Sequence, residues 1–305
     1  MEKVLITGIS GGQGRLLARR LRQKYEVCGV DRVPWEGAPR GVRVCILDLR
    51  KRALEDLIRA EAPTVVIHLP FDQRFQVEES ERYDINVRGT RRLLDHCVRF
   101  SVQKLLLVSS SYVYGASPEN PYGVDEDFPL AASRAVPEIR DLVEVDTLAS
   151  GFLWRFPQLR TCVLRPVGVL GQYIHSMIGH YLREPRVPTV LGFDPMMQFI
   201  HEADFSEAVV AALEQGLQGV FNVVGPGEVP LHTAIRESGG MAIALPESIL
   251  RPMVTRLFRW GLVPYPPGAI DYLKFPITVS GERFRNATRF ACRFGLEEIF
   301  SSVRR

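Results

Sequence analysis

Three features of the chain predict an α/β fold built on a doubly wound parallel sheet. Short apolar runs of strand length alternate with helical segments through the first half. Runs such as Leu105, Leu106, Leu107 and Val108 are apolar without alternation, as expected of strands covered on both faces. Glycines at 8, 11 and 14 fall between the first strand and the first helix, where such folds make a tight turn.

The elements follow in order. Residues 4–6 are the first strand, and 15–24 form a helix with Leu16, Leu17 and Leu21 on one face. Residues 26–30 and 42–47 are the next strands, 52–60 a helix and 64–68 the fourth strand. A long helix over 83–100 turns Val87, Leu93, Leu94 and Cys97 inward, and 104–109 and 161–164 are further strands. Beyond Pro166 proline and glycine become frequent, so 185–195 and 263–268 are expected as loops. Residues 199–213 and 219–224 are expected as a helix and a strand that return to the sheet. This divides the chain into a Rossmann-type domain, 1–166 with about 198–225, and a smaller C-terminal α/β domain, about 167–197 with 226–305. Crossovers should be right-handed.

Composition narrows the class. Hydrophobic residues at 46% supply a core and argue against disorder. A net charge of +3, with dispersed arginines, lacks the stripe of a nucleic-acid binder. No apolar run approaches the ~18–20 residues of a membrane span, and the start of the chain does not resemble a signal peptide. Cys28, Cys45, Cys97, Cys162 and Cys292 are widely spaced in apolar segments, which predicts reduced core thiols and a cytoplasmic setting. The histidines and acids show no metal-ligand spacing.

The segment Thr7, Gly8, Ile9, Ser10, Gly11, Gly12, Gln13, Gly14 joins strand to helix. Glycines there let the backbone approach a pyrophosphate at the positive end of the helix dipole. A tight turn without a ligand would use the same glycines. Asp31 ends the second strand, where a carboxylate accepts hydrogen bonds from ribose hydroxyls and repels a 2′-phosphate. This favours NAD, although Arg32 beside it could pair with such a phosphate and admit NADP. Asp48, followed by Leu49, could meet an adenine edge or cap the next helix.

The chain resembles the extended short-chain dehydrogenase/reductase family, which includes sugar-nucleotide epimerases and dehydratases. The resemblance rests on the glycine motif, on 86–90 beginning with Asn86, on the strand end around Ser109–Gly115, on Leu164, Arg165 and Pro166, and on 199–204 and 221–223. It implies a cofactor site of Thr7, Gly8, Ser10, Gly11, Gly12, Gln13, Gly14, Asp31, Arg32, Asp48, Leu49, Leu69, Pro70, Asn86 and Pro166. It also implies a nucleotide sugar or other small molecule as ligand, and a homodimer formed through the long helices, with Leu142, Val145 and Leu148 suited to the seam or equally to a core.

By resemblance Ser110 holds the place of the family's serine or threonine. The family pairs it with a tyrosine and a lysine one helical turn later, whose charge lowers a phenol pKa of about 10. None of the nine tyrosines here has a lysine four residues after it. Counting back from Arg165, the expected helix covers about 138–153, with Glu138 near the tyrosine position and Leu142 near the lysine position. Pro70 and Phe71 also stand where small residues are usual. The resulting expectation is a catalytically degenerate dinucleotide binder acting in structure, regulation or interaction with another protein. The alternatives are an enzyme using Ser110 with Glu138 or Tyr112, and a non-redox binder. Residues 249–262 form a basic amphipathic helix, read either as cover for the cleft or as a docking face for lipid or a partner.

Overall fold

The computed structural model describes residues 2–69, 78–132, 136, 139–174 and 176–304. Strands β1 (Lys3–Thr7), β2 (Glu26–Asp31), β3 (Val42–Ile46), β4 (Val65–His68), β5 (Lys104–Val108), β6 (Arg160–Pro166) and β10 (Gly219–Val223) form one seven-stranded sheet, in the order β10-β6-β5-β4-β1-β2-β3. Every pairing in it is parallel. Helices α1 (Gly12–Leu21) and α7 (Glu202–Glu214) cover one face, and α2 (Ala53–Glu61), α4 (Gly89–Arg99) and α5 (Arg140–Arg155) the other. Neighbouring residues of β1 feed opposite sides. Val4 and Ile6 pack with Leu17, Leu21, Phe205 and Val209, whereas Leu5 packs with Leu54, Ile58, Leu93, Leu94 and Phe152. Burial on both faces explains the unbroken apolar strands.

The expected helix over 83–100 starts earlier, at α3 (Glu79–Tyr83), and passes through a π-helical turn at Asp84–Arg88 before α4. The helix expected from 199 begins at α7 instead, because β9 (Met196–His201) precedes it. Strand periodicity decides this: Met197 and Phe199 enter one core while Ile200 enters another. His201 Nδ1 then accepts the Ala203 N–H at 3.2 Å and caps α7. β9 joins β7 (Gly168–Leu170) and β11 (Glu228–Pro230) in a three-stranded sheet. Within the expected loop 185–195, β8 (Arg186–Val190) pairs with β12 (Met241–Leu245), Pro188 lying opposite Ile243. A proline is tolerated because this strand has only one partner. Helices α6 (Met177–Arg183), α8 (Leu231–Glu237) and α11 (Leu296–Ser301) surround Leu170 and Phe199. Helices α9 (Glu247–Arg259) and α10 (Glu282–Thr288) complete the chain. No helix among the described residues is long and apolar enough to cross a membrane.

All five cysteines are free. Burial pushes the Cys97 thiol up to about 12, which keeps it protonated. Leu142, Val145 and Leu148 of α5 serve the core: Val145 is fully buried with Val87, Leu107 and Val163, and the other two pack against core clusters.

Two buried polar assemblies lock the layers. Arg165 of β6 donates to Asp146 of α5 through Nη2 (2.6 Å) and Nε (2.9 Å), and through Nη1 to the Tyr114 hydroxyl (2.9 Å) and the Glu126 carbonyl (3.1 Å). Tyr114 donates to Asn222 of β10 at 2.7 Å. Burial alone would lower the Arg165 pKa, but the Asp146 carboxylate reverses that and keeps the guanidinium charged. On the same face, beneath α4, Thr7 Oγ1 lies 2.6 Å from His68 Nδ1, and His68 Nε2 lies 2.8 Å from Thr90 Oγ1. Desolvation lowers the His68 pKa to about 3.

Asp146→Ala strands a buried guanidinium and is expected to remove about 3–5 kcal/mol of stability in urea unfolding. A loss under about 1 kcal/mol would show that the pair is not a support. His68 binds its proton less readily folded than unfolded, so its contribution is complete above about pH 6.5 and is lost as pH falls toward about 3. Over that window stability should fall by up to about 1.4 kcal/mol per pH unit from this one group. His68→Gln should flatten the slope by about one proton, and an unchanged slope would contradict the assignment.

Candidate functional site

The β1–α1 turn is shaped by close backbone contacts. Gly8 has φ of 73°, and a Cβ there would lie 2.8 Å from the Leu69 carbonyl oxygen. A Cβ on Gly14 would run into the Gly8 carbonyl and lie 2.6 Å from Ile9 Cα. A Cβ on Gly12 would run into the Tyr173 carbonyl, so the chain after β7 lies directly on the first turn of α1. Gly11 is different. Its N–H donates to the Gly8 carbonyl at 3.2 Å, and a Cβ would meet nothing nearer than 3.4 Å. Gly11 caps α1 with no side-chain hydrogen bond and no acid in the first turn. Gly11 is therefore the position of this turn suited to an anion, at the positive end of the helix.

The neighbouring residues sort into supports and rim. Thr7 is buried in the hydroxyl–imidazole chain and also accepts the Leu69 N–H at 3.3 Å. Gln13 donates to Ser206 at 2.9 Å, tying α1 to α7, while its Oε1 is buried without a partner among the described residues. Ser10 donates its N–H to Asp31 Oδ2 at 3.0 Å and its hydroxyl to the Val33 carbonyl at 2.7 Å. Asp31 Oδ1 accepts the N–H groups of Arg32 (2.7 Å) and Val33 (3.2 Å). Three backbone donors thus fix the Asp31 carboxylate at the rim of the glycine loop, where it suits a ribose diol.

Asp48 is held by Arg50 through Oδ2 at 2.6 Å, and that hydrogen bond depresses its pKa. It does not cap a helix, since α2 starts at Ala53 with Arg52 as the cap residue. Leu49 packs near the start of α4, its Cβ 3.6 Å from a methyl built on Gly89. Asn86 lies in the turn before α4, and its carbonyl accepts the Thr90 hydroxyl at 2.5 Å. It is buried, and its amide pairs with Asp141, which also accepts Arg82 Nε at 3.2 Å. Pro166 is buried at the end of β6, opposite Val223. Pro70 and Glu138 lie outside the described residues.

The second half of the site is the strand end after β5. Ser110 is extended, and its Oγ accepts the Tyr112 N–H at 3.2 Å, starting a 3₁₀ turn over Ser111–Tyr114. Ser109 Oγ is buried without a partner among the described residues. Tyr112 stacks edge-on against Tyr272 at 5.2 Å, and the Tyr272 hydroxyl donates to the Tyr112 carbonyl at 2.9 Å. Both line a small cavity with Val167, Met197, Phe275 and Ile277. Desolvation pushes the Tyr112 phenol up to about 12, and no cation offsets it among the described residues. Leu142, at the expected lysine position, belongs to the same apolar cluster as Tyr112 and Tyr272. Burial favours the protonated phenol, which can donate a proton.

Several contributors were not singled out from sequence. Glu202 accepts the N–H groups of Tyr173 and Ile174, each at 3.0 Å, and so presses the chain onto Gly12. Gly171 is the sequence trace of this contact, because a Cβ there would run into the Glu202 carboxylate. Tyr272 and the Arg82–Asp141 pair come from distant segments and leave no local signal.

A family model described as "NAD dependent epimerase/dehydratase family" matches residues 4–224. An uncharacterized protein of Mycobacterium tuberculosis is 30% identical over 164 residues, 53% of this chain and 44% of that protein. The chain thus covers under half the length of that relative. The 3-diazoavenalumate denitrifying reductase of a Streptomyces species is 26% identical over 75% of this chain and 77% of its own. Among solved structures, the UDP-glucose 4-epimerase of Thermus thermophilus, in complex with NAD, superposes with a TM-score of 0.78 at 20% identity, covering 99% of this chain and 97% of that one. The parallel sheet, the glycine turn with Asp31 at its rim, and the family match over most of the chain agree: this protein belongs to the NAD-dependent epimerase/dehydratase family.

Proposed function

We propose that the protein binds NAD between the glycine turn and the strand ends and does not run the family's tyrosine-based proton transfer. It then acts as a cofactor-dependent structural or regulatory protein toward another protein or a second copy of itself. The observation that carries this reading is Leu142 packed in one cluster with Tyr112, whose phenol is held near 12. A leucine cannot lower that pKa or hold a nicotinamide ribose. The residues that would hold the cofactor are Gly11 with the first turn of α1 for the pyrophosphate, and Asp31 for the adenosine ribose. NAD, when bound, supplies a hydride acceptor. Gln13 Oε1 and Ser109 Oγ, without partners among the described residues, are buried acceptors on α1 and at the end of β5. A homodimer across the long helices would leave Val145 in the core, where it is fully buried, and would draw on the partly exposed Leu142 and Leu148 and the outer side of α5, where Trp154 is 88% exposed.

The cavity beside Tyr112 favours a second reading. A protonated phenol with Ser110 nearby could act as donor in a reductase, or in an epimerase or dehydratase with substituted catalysts, and nucleotide sugars are the first ligands to screen.

Calorimetric titration should show NAD bound more tightly than NADP. Asp31→Ala should weaken NAD about tenfold or more through lost charge-assisted hydrogen bonds of about 1.5–3 kcal/mol, and Gly11→Val should abolish binding. Equal or tighter binding of NADP would contradict the role of Asp31. With NAD present and UDP-glucose as the probe, neither epimerisation nor reduced cofactor should accumulate. Turnover that Tyr112→Phe or Ser110→Ala removes would replace this reading with the second.

A further inference from the structure

Helix α9 is poorly covered by the rest of the molecule. Of its 13 residues only Leu250 is fully buried. Leu250 packs with Val190 and Ile270, and Val254 joins them from the same side. Arg251 turns to Glu247 (2.8 Å) and Asp271 (2.6 Å), and Lys274 also pairs with Glu247 (2.9 Å). These contacts anchor the inner face and consume the nearby acids.

The outer face is different. Ile249, Met253, Arg256 and Trp260 follow one another at helical spacing and form a single exposed stripe, with Trp260 at 66% and Ile249 at 56% exposure. Leu262 extends it past the helix end. Arg256 and Arg259 make no ion pair among the described residues. Residues 248–270 contain no aspartate or glutamate. A shallow groove on the flank runs from Glu247, whose carboxylate is already paired with Arg251 and Lys274, past Ser248, Pro252 and Thr255 to Arg256 and Arg259, so hydroxyls and guanidinium groups stand beside the apolar stripe.

We propose that this face of α9 docks on the surface of an anionic membrane. The tryptophan and aliphatic side chains would enter the headgroup boundary, and the two arginines would meet lipid phosphates. Charge complementarity selects this occupant. A two-fold contact with a second copy through the same stripe would bring arginines against their own counterparts with no acid to neutralise them. The helix is too short to span, so the attachment is interfacial.

The test is sedimentation of the full chain with vesicles of phosphatidylcholine alone and of phosphatidylcholine mixed with phosphatidylglycerol. The protein should follow the anionic vesicles only, and added salt should release it. Arg256→Gln with Arg259→Gln should weaken partitioning about 30-fold, at roughly fivefold per cation. Trp260→Ser should weaken it as well. All three side chains are exposed, so thermal unfolding should not move and serves as the folding control. Failure to bind anionic vesicles, or binding indifferent to these substitutions, would overturn the proposal. So would a dimer in lipid-free solution that Trp260→Ser dissolves, which would assign the stripe to a second copy. The cofactor reading is independent of all these outcomes.

Discussion

The buried pair of Arg165 and Asp146 is the contact on which the geometry of the cleft depends. It joins β6 to α5, and through Tyr114 and Asn222 it reaches the 3₁₀ turn and β10. The backbone of Ser110 and Tyr112 is therefore set from beneath by a charged group that cannot be exposed without loss. The attraction of such a pair roughly offsets its desolvation, so its contribution is to fix one arrangement more than to add net stability. Glu126 extends the same logic, accepting the Asn222 N–H at 2.8 Å and pairing with Arg283 at 3.3 Å. The turn that follows the strand end is thus held by contacts within the chain itself.

The glycine half is positioned differently. Here the constraints are steric: Gly8 against Leu69, Gly14 against the turn itself, and Gly12 against Tyr173. Of the glycines in the loop, Gly11 is the one whose place is not dictated by a close backbone neighbour, and it lies at the uncapped start of α1. A tight turn and a phosphate cradle draw on the same residue type, and the structure separates the two demands by position.

Much of the sheet was legible because each strand is a short run of one character, and burial on both faces erases polar alternation. The sequence also placed Asp31 beside the glycine turn, since both lie at strand ends of known order. It misread Met196–His201, where a strand runs without a break into a helix and the cap is a histidine rather than a serine or aspartate. It misread Arg186–Val190 because a proline inside a strand looks like a loop until its single partner is known. Asn86 and Leu142 show a different limit. Motif spacing located both, but only packing reveals that one faces Asp141 and the other lies with Tyr112. Glu138 and Pro70 lie outside the described residues.

The central proposal is that a dinucleotide cleft coexists with a phenol that no cation among the described residues activates. Determining the crystal structure with NAD bound tests it most directly. The account predicts the pyrophosphate above Gly11, the adenosine ribose on Asp31, and no lysine or arginine within hydrogen-bonding distance of the nicotinamide ribose or the Tyr112 hydroxyl. A basic side chain bridging those two groups, from any part of the chain, would contradict it.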